Sequence, residues 1–165
     1  SDLATPVFLS LYAENDLRLD KYFAETDEKG FRKNKKAGSN NYLCTFRVGE
    51  IYLTAAEAAA RLGELSQART RLLELMRKRY APEAYEAKSV VVNAMDKEAL
   101  VQEILDERAR ELAFEGHRWF DLRRSTRPRL EKVLDGTRYV LEENDARYTL
   151  AIPKEAIEAN PGLLN

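Results

Sequence analysis

The residues whose types could do chemistry crowd into one stretch, "ERARELAFEGHRWFDLRR", Glu107 to Arg124. Nine of its eighteen residues carry full charge, and it holds the only His (His117) and the only Trp (Trp119) of the chain. A helical di-metal carboxylate site takes Glu-x-x-His on facing helices. The residue three before His117 is Phe114, so that spacing fails. A zinc site of the His-Glu-x-x-His kind needs a second His, and the chain has one. A Ser–His or Cys–His nucleophile would have to use His117, and no Gly-x-Ser-x-Gly elbow is present. A two-carboxylate hydrolase stays open, because 28 acidic residues are available. Such sites sit on a sheet or barrel rim, which the pattern does not provide. No catalytic residue, metal or cofactor is expected.

The same charges read as a frame. Opposite signs stand at i,i+3: Glu107–Arg110, Arg108–Glu111, Glu115–Arg118, Arg118–Asp121 and Asp121–Arg124. On an exposed helix each pair supplies only ~0.2–0.5 kcal/mol, so the set would act together by orienting the helix against neighbours. His117 is expected to bond a carboxylate or carbonyl at a helix end. Trp119 and Phe120 are expected to anchor in a core. If the helix continues through Gly116, that glycine faces a close backbone or marks a kink.

The elements that would position these residues are mostly helical. Thr5-Pro6 is an N-cap and first-turn pair, opening a short helix with Phe8, Leu11 and Tyr12 inward. "DEKGFRKNKKAGSNN" reads as a solvated basic loop, with a phosphate patch as its sharper alternative. "VGEIYLTAAEAAARLGEL" predicts a helix with Ile51, Ala55, Ala58, Ala59 and Leu62 on one stripe, stopped by Gly63. "SQARTRLLELMRKRY" resumes with Ala68, Leu72, Leu75 and Met76 inward, and the two form a helical hairpin of the repeat-protein kind. "APEAYEAKSVVVNAM" reads as a connector with an extended piece at Val90–Val92. Asp96 caps a long helix along Leu100, Val101, Ile104, Leu105, Arg108, Ala109 and Leu112. In "TRYVLEENDARYTLAIP", Tyr139 and Leu141 alternate toward Tyr148, Leu150 and Ile152 across a Glu143–Asp145 turn, which predicts a β-hairpin. The fold class is mainly α, and no domain boundary is visible over residues 1–165.

Bulk properties narrow the function. The chain has 165 residues, 33% charged and 44% apolar, with formal net charge −1 and pI about 6.0. That composition is globular, and it lacks the basic balance of a nucleic-acid module. No apolar run spans a membrane, and "SDLATPVFLS" is not a signal peptide. Cys44 is the single cysteine, so no internal disulfide forms, and a buried thiol is expected rather than a lipidation site.

The long charged motif closely resembles the signature helix of SusD/RagB outer-membrane lipoproteins of Bacteroidetes, E-R-x-x-E-L-x-F-E-G-x-R-x-x-D-L-x-R. Glu107, Arg108, Glu111, Leu112, Phe114, Glu115, Gly116, Arg118, Trp119, Asp121, Leu122 and Arg124 fall on it. Three further segments agree in order. "SLYAENDLRLDKYF" is similar to the family's Y-x-x-N-D-x-R element, and "RVGEIYLTAAEAAARLGEL" to its R-x-A-E-x-Y-L-x-x-A-E-A helix. "YTLAIPKEAIEANPGLLN" is similar to its closing I-P-x-x-E-I-x-x-N-P segment. Gly49 stands where the family usually has Ala, a mild change. Family members are longer and begin with a lipidated Cys, so the resemblance implies a C-terminal part of such a protein.

The resemblance implies tetratricopeptide-like hairpins, with Arg47–Arg79 as one of them. It implies a non-catalytic cell-surface protein that captures a glycan, or a peptide, with a SusC-type TonB-dependent transporter as partner. The membrane tie would be a lipid anchor outside this chain. The motif residues Glu107, Arg108, Glu111, Glu115, Gly116, Arg118, Trp119 and Asp121 would be structural. No ligand residue transfers, and Tyr80 and Tyr85 in the connector are the local candidates for stacking on a sugar. The competing reading is a helical-repeat scaffold that binds proteins and no sugar.

Overall fold

Thr5 and Pro6 begin the first helix as their types require. The Thr5 hydroxyl accepts from Phe8 N at 3.2 Å, and Pro6 occupies the first turn of α1 (Pro6–Leu9). The computed structural model describes residues 3–36, 47–134, 136–160 and 162, and Cys44 lies outside them. The chain then runs through β1 (Leu3–Ala4, before α1), α2 (Arg18–Tyr22), β2 (Phe23–Thr26) and β3 (Arg32–Asn34). These strands form an antiparallel sheet in the order β1-β3-β2, with Leu3 opposite Lys33 and Phe23 opposite Asn34. The described part of the basic segment, residues 27–36, is therefore not simply a solvated loop, and residues 37–41 lie outside the described ones. Its turn is tied by Asp27, whose Oδ1 accepts from Lys29 N and Phe31 N at 2.9 and 2.8 Å. The next residues return as a strand.

The helical hairpin stands as read: α3 (Val48–Leu62) and α4 (Leu65–Met76), broken at Gly63, which takes φ +86° as the left-handed cap. Ala68, Leu72, Leu75 and Met76 are buried as the spacing predicts. The α3 face is different. Its buried residues are Gly49, Leu53, Ala56, Glu57, Ala59 and Ala60, while Ile51, Ala55, Ala58 and Leu62 are exposed. In a helix so rich in alanine two apolar stripes compete, and the one that meets both α4 and the later helix α6 (Lys97–Glu111) is buried.

Between them α5 spans Pro82–Ala94. The extended piece at Val90–Val92 is instead helical. Pro82 presets the first turn, and Val92 docks into the core with Leu53, Leu72, Leu100 and Ile104. That burial outweighs the weak strand preference of three valines. Asp96 caps α6 by accepting from Ala99 N at 2.9 Å.

After Glu111 the signature helix does not continue. Residues 112–116 turn, with Phe114 at φ +63° and Gly116 at φ +82°, before α7 (His117–Arg124). A Cβ at Gly116 would meet nothing, so the glycine serves the kink and not a close approach. The left-handed turn sends Phe114 into an aromatic group in which Tyr12 and Phe23 lie edge-to-face at 5.5 Å and Phe23 and Phe114 at 6.1 Å.

The chain divides into two compact units, Ser1–Arg118 and Trp119–Asn165. The second holds β4 (Leu130–Leu134), β5 (Thr137–Leu141), a 3-10 turn (Ala146–Tyr148) and α8 (Lys154–Ala159). The β-hairpin exists but lies one strand earlier than the alternation suggested. Thr137–Leu141 pairs with Leu130–Leu134, Glu131 opposite Val140, around Gly136 at φ +76°. Asp135-Gly136 is the residue pair that a two-residue hairpin favours. Tyr148 cannot be its partner, because Asp145 caps a 3-10 turn there by accepting from Arg147 N at 2.8 Å. Tyr148 is buried, its hydroxyl donates to Pro128 O, and Trp119 stacks on its ring at 5.2 Å and 10°. Phe120 is 61% exposed, so it is not a core anchor. No helix among the described residues is long and apolar enough to cross a membrane.

Candidate ligand-binding site

The acids of the signature segment converge on bases from other elements. Arg18 is almost fully buried and grips Asp16 with two hydrogen bonds, at 2.9 and 2.8 Å. Its other arm donates to Glu107 at 2.7 Å and Glu111 at 3.2 Å. Glu111 also takes both arms of Arg79, at 2.7 and 2.8 Å, and Arg47 at 3.1 Å. Glu107 accepts from Arg110 at 2.8 Å, and Arg110 reaches Glu103 at 2.6 Å. Arg47 and Lys36 both hold Glu115. Five acids (Asp16, Glu103, Glu107, Glu111, Glu115) thus meet five bases (Arg18, Lys36, Arg47, Arg79, Arg110).

The charge balance sets the protonation states. Burial pushes Glu111 up, but the hydrogen bonds and charge of Arg79, with Arg18 and Arg47, outweigh it and hold the carboxyl at about 2. Glu107 is also lowered, against its burial, by Arg18 and Arg110. Both carboxylates are thus held ionised by the guanidinium groups around them. Among the described residues no group of three or more His, Cys, Asp and Glu side chains is placed to hold a metal.

Of the i,i+3 pairs, Glu107–Arg110 and, in the second unit, Asp121–Arg124 at 2.6 Å are among the described contacts. Glu111 and Glu115 are turned to tertiary partners instead. Arg108 is buried, donating to Thr54 at 3.2 Å with Glu50 at 3.9 Å. His117 faces a carboxylate as expected, its Nδ1 3.6 Å from Glu50. Arg118 is half-buried and Asp121 buried. Sequence reasoning missed Asp16, Arg18, Lys36 and Arg79, because nothing local says that a distant base completes a buried carboxylate.

The frame also bears on Gly49. A Cβ there would lie 2.7 Å from Glu111 Oε1 and 3.1 Å from its Cγ. In this chain an alanine is therefore not a mild change. Helix propensity would favour Ala by ~1 kcal/mol, while displacing a carboxylate held by three arginines counts as overpacking at ~1–3 kcal/mol. Gly49→Ala is expected to lower stability by about 1 kcal/mol, read as an earlier urea midpoint; a later midpoint would show that the carboxylate has room to move.

A cleft opens beside this frame, between the end of α4 and the start of α5. It is lined by Arg77, Tyr80, Pro82, Tyr85 and Glu86 and has a volume of about 470 Å³, within the usual range for small-ligand sites. The backbone on either side of Tyr80 is tied to an earlier segment, since Leu17 N donates to Arg79 O at 2.9 Å and Ala81 N to Asn15 O at 3.2 Å. The two candidate tyrosines are brought together here but are not equivalent. Tyr80 is 2% exposed, with its hydroxyl between Arg18 and Glu107 and with Arg18 and Lys88 each about 5.4 Å from its ring centroid. Burial, then Glu107, raises its phenol strongly, so it stays neutral as a wall. Tyr85 is half-buried, and Arg77 and Glu86 are exposed. An aromatic face beside a guanidinium and a carboxylate suits a polyhydroxylated ligand.

The profile of the SusD family (SusD_RagB) matches residues 6–165. A SusD-like protein P38 of Formosa agariphila is 31% identical over 115 residues, a stretch covering 69% of this chain and 22% of that protein. A crystal structure described as a SusD-like carbohydrate binding protein from Bacteroides vulgatus superposes with a TM-score of 0.63 at 19% identity, over 95% of this chain and 40% of that one. The chain thus spans less than half the length of either.

Proposed function

This chain belongs to the SusD family, and from that premise we propose that it is part of a non-catalytic surface protein that captures a glycan for uptake. The whole protein would sit at the outer membrane through a lipid anchor and deliver its ligand to a SusC-type TonB-dependent transporter. The family match over nearly the whole chain carries this reading, and the description of the Bacteroides vulgatus relative as carbohydrate binding supports it. The signature residues act in it as the frame, and the ligand is met by side chains that the frame leaves outside.

Within the chain the cleft at Tyr85 is the proposed contact. A sugar ring would lay its apolar face on Tyr85 while Arg77 and Glu86 reach its hydroxyls. Tyr85→Ala is expected to remove about 1 kcal/mol of stacking, a rise in Kd of about five-fold, measured by calorimetry against a panel of oligosaccharides. Unchanged affinity in a protein that binds sugar would place the contacts elsewhere. Failure of the whole protein to bind any glycan, with capture of peptide or protein instead, would sink the glycan reading.

A further inference from the structure

The outer face of α3 is a second seam. Val48, Ile51, Ala55, Ala58 and Leu62 recur at spacings of 3, 4, 3 and 4, and all five are exposed; Val48 is 65%, Ile51 48% and Leu62 77% open. On a helix this spacing makes one continuous stripe. It lies nearly opposite the buried stripe of Gly49, Leu53, Ala56 and Ala60. The polar residues of α3 are only Glu50, Thr54, Glu57 and Arg61, again one stripe. Part of this stripe is engaged within the chain: Thr54 and Glu50 meet Arg108, and Glu57 is buried and paired with Arg61. Of the seven exposed residues of α3, five are these apolar ones, and Thr54 and Arg61 are the other two. A helix apolar on two opposite faces is built to be covered on both.

We propose that this seam docks a helix from a part of the same polypeptide outside these 165 residues. The two alanines in mid-seam, Ala55 and Ala58, leave room for close helix approach, at the short end of the ~8–10 Å range of interaxial distances. Five side chains, two of them methyl groups, bury far less than the roughly 800 Å² per partner that a stable separate complex takes. Such a contact is sufficient when its partner is tethered, and insufficient for a free protein or a second copy. The matched relatives supply the tether, since the aligned stretches cover only 22% and 40% of their lengths. Stacked helical hairpins cover one another's outer faces in this way. The proposal rests on family membership and not on glycan capture, so a protein that binds no sugar leaves it standing.

Thiol labelling tests it with substitutions too small to disturb the fold. Ile51→Cys and Ala55→Cys, each in a Cys44→Ala background, are made in the 165-residue chain and in the product of the whole reading frame. Alkylation rates are referred to the unfolded protein. Fast labelling in the short chain and labelling on the order of 100-fold slower in the long one is the expected result. Equal, fast labelling in both would overturn the proposal. Slow labelling already in the short chain would overturn it too, and light scattering would then separate a dimer from cover by the chain itself. A reading frame that adds no further helical segment would have the same consequence.

Discussion

Arg18→Met is expected to cost about 3–5 kcal/mol, the largest loss of any single side chain outside the apolar core. Domains of this size are stable by only ~5–15 kcal/mol, so the variant should unfold at a fraction of the parent's urea concentration. The magnitude follows from what is left behind. Asp16, Glu107 and Glu111 are all within 3.2 Å of the guanidinium and are completely or nearly enclosed. Methionine fills the volume but leaves Asp16 with no guanidinium in contact among the described residues. It leaves Glu107 with Arg110 and the Tyr80 hydroxyl, and Glu111 with Arg79 and Arg47. Removing the acid as well should return part of the loss. Arg18→Met with Glu107→Gln is expected to be less damaging than the sum of the two single changes, because the pair is coupled. Simple additivity, or a loss for Arg18→Met below about 1 kcal/mol, would show that the cluster is wetter or looser than its burial suggests.

The parts of this structure legible in the sequence are those set by neighbours along the chain. Gly63 between two alanine- and leucine-rich periods is a local signal, and the α3–α4 hairpin follows it. Asp96 and Thr5 cap helices because their side chains reach backbone three residues on. What local pattern could not settle was a choice between equals. On α3 two apolar stripes of similar strength exist, and only the positions of α4 and α6 decide which is buried. At Val90–Val92 the strand preference is real but small, and the burial of Val92 against α4 and α6 residues outweighs it. The hairpin at Gly136 was within reach, since Asp-Gly was present, but the alternation of Tyr139 and Leu141 pointed equally well in either direction.

The charged motif was legible as a frame and not as a network. Spacing within one helix suggests partners three residues away, and Glu107–Arg110 and Asp121–Arg124 are such pairs among the described contacts. Glu111 is instead completed by Arg18, Arg47 and Arg79, which stand 93, 64 and 32 residues from it along the chain. Glu115 is completed by Lys36 and by Arg47, the latter 68 residues away. Three of the segments through which the chain resembles its family meet here: Asp16 and Arg18 from one, Arg47 from another, and the glutamates from the signature helix. That convergence gives a physical reason for those residue types to occur together. The cleft was legible only as two tyrosines close in sequence, and the fold makes one of them a wall and leaves the other accessible.

Acid should undo the frame within a definite window. Glu111 has an ordinary carboxyl value of about 4.3 in the unfolded chain and about 2 when folded. Its folded value is depressed, so the stability it contributes is complete above about pH 4.5 and is lost as pH falls toward about 2. In that interval the unfolded state binds the extra proton, and stability therefore rises with pH. A shift of about two units corresponds to about 3 kcal/mol, and Glu107 is displaced in the same direction. Urea midpoints taken at about pH 5.5, 4, 3 and 2.5 are expected to fall steeply across the last three. Because the pairs are enclosed, raising salt should flatten this fall only slightly, unlike a surface charge effect. Glu111→Gln lowers stability at neutral pH, since Arg79, Arg18 and Arg47 then face an uncharged amide. It should also reduce the acid slope to the part that Glu107 and other carboxylates contribute, because position 111 no longer takes up a proton on unfolding. A variant as acid-sensitive as the parent would mean that other carboxylates set the acid limit, and that Glu111 is held by packing more than by its charge.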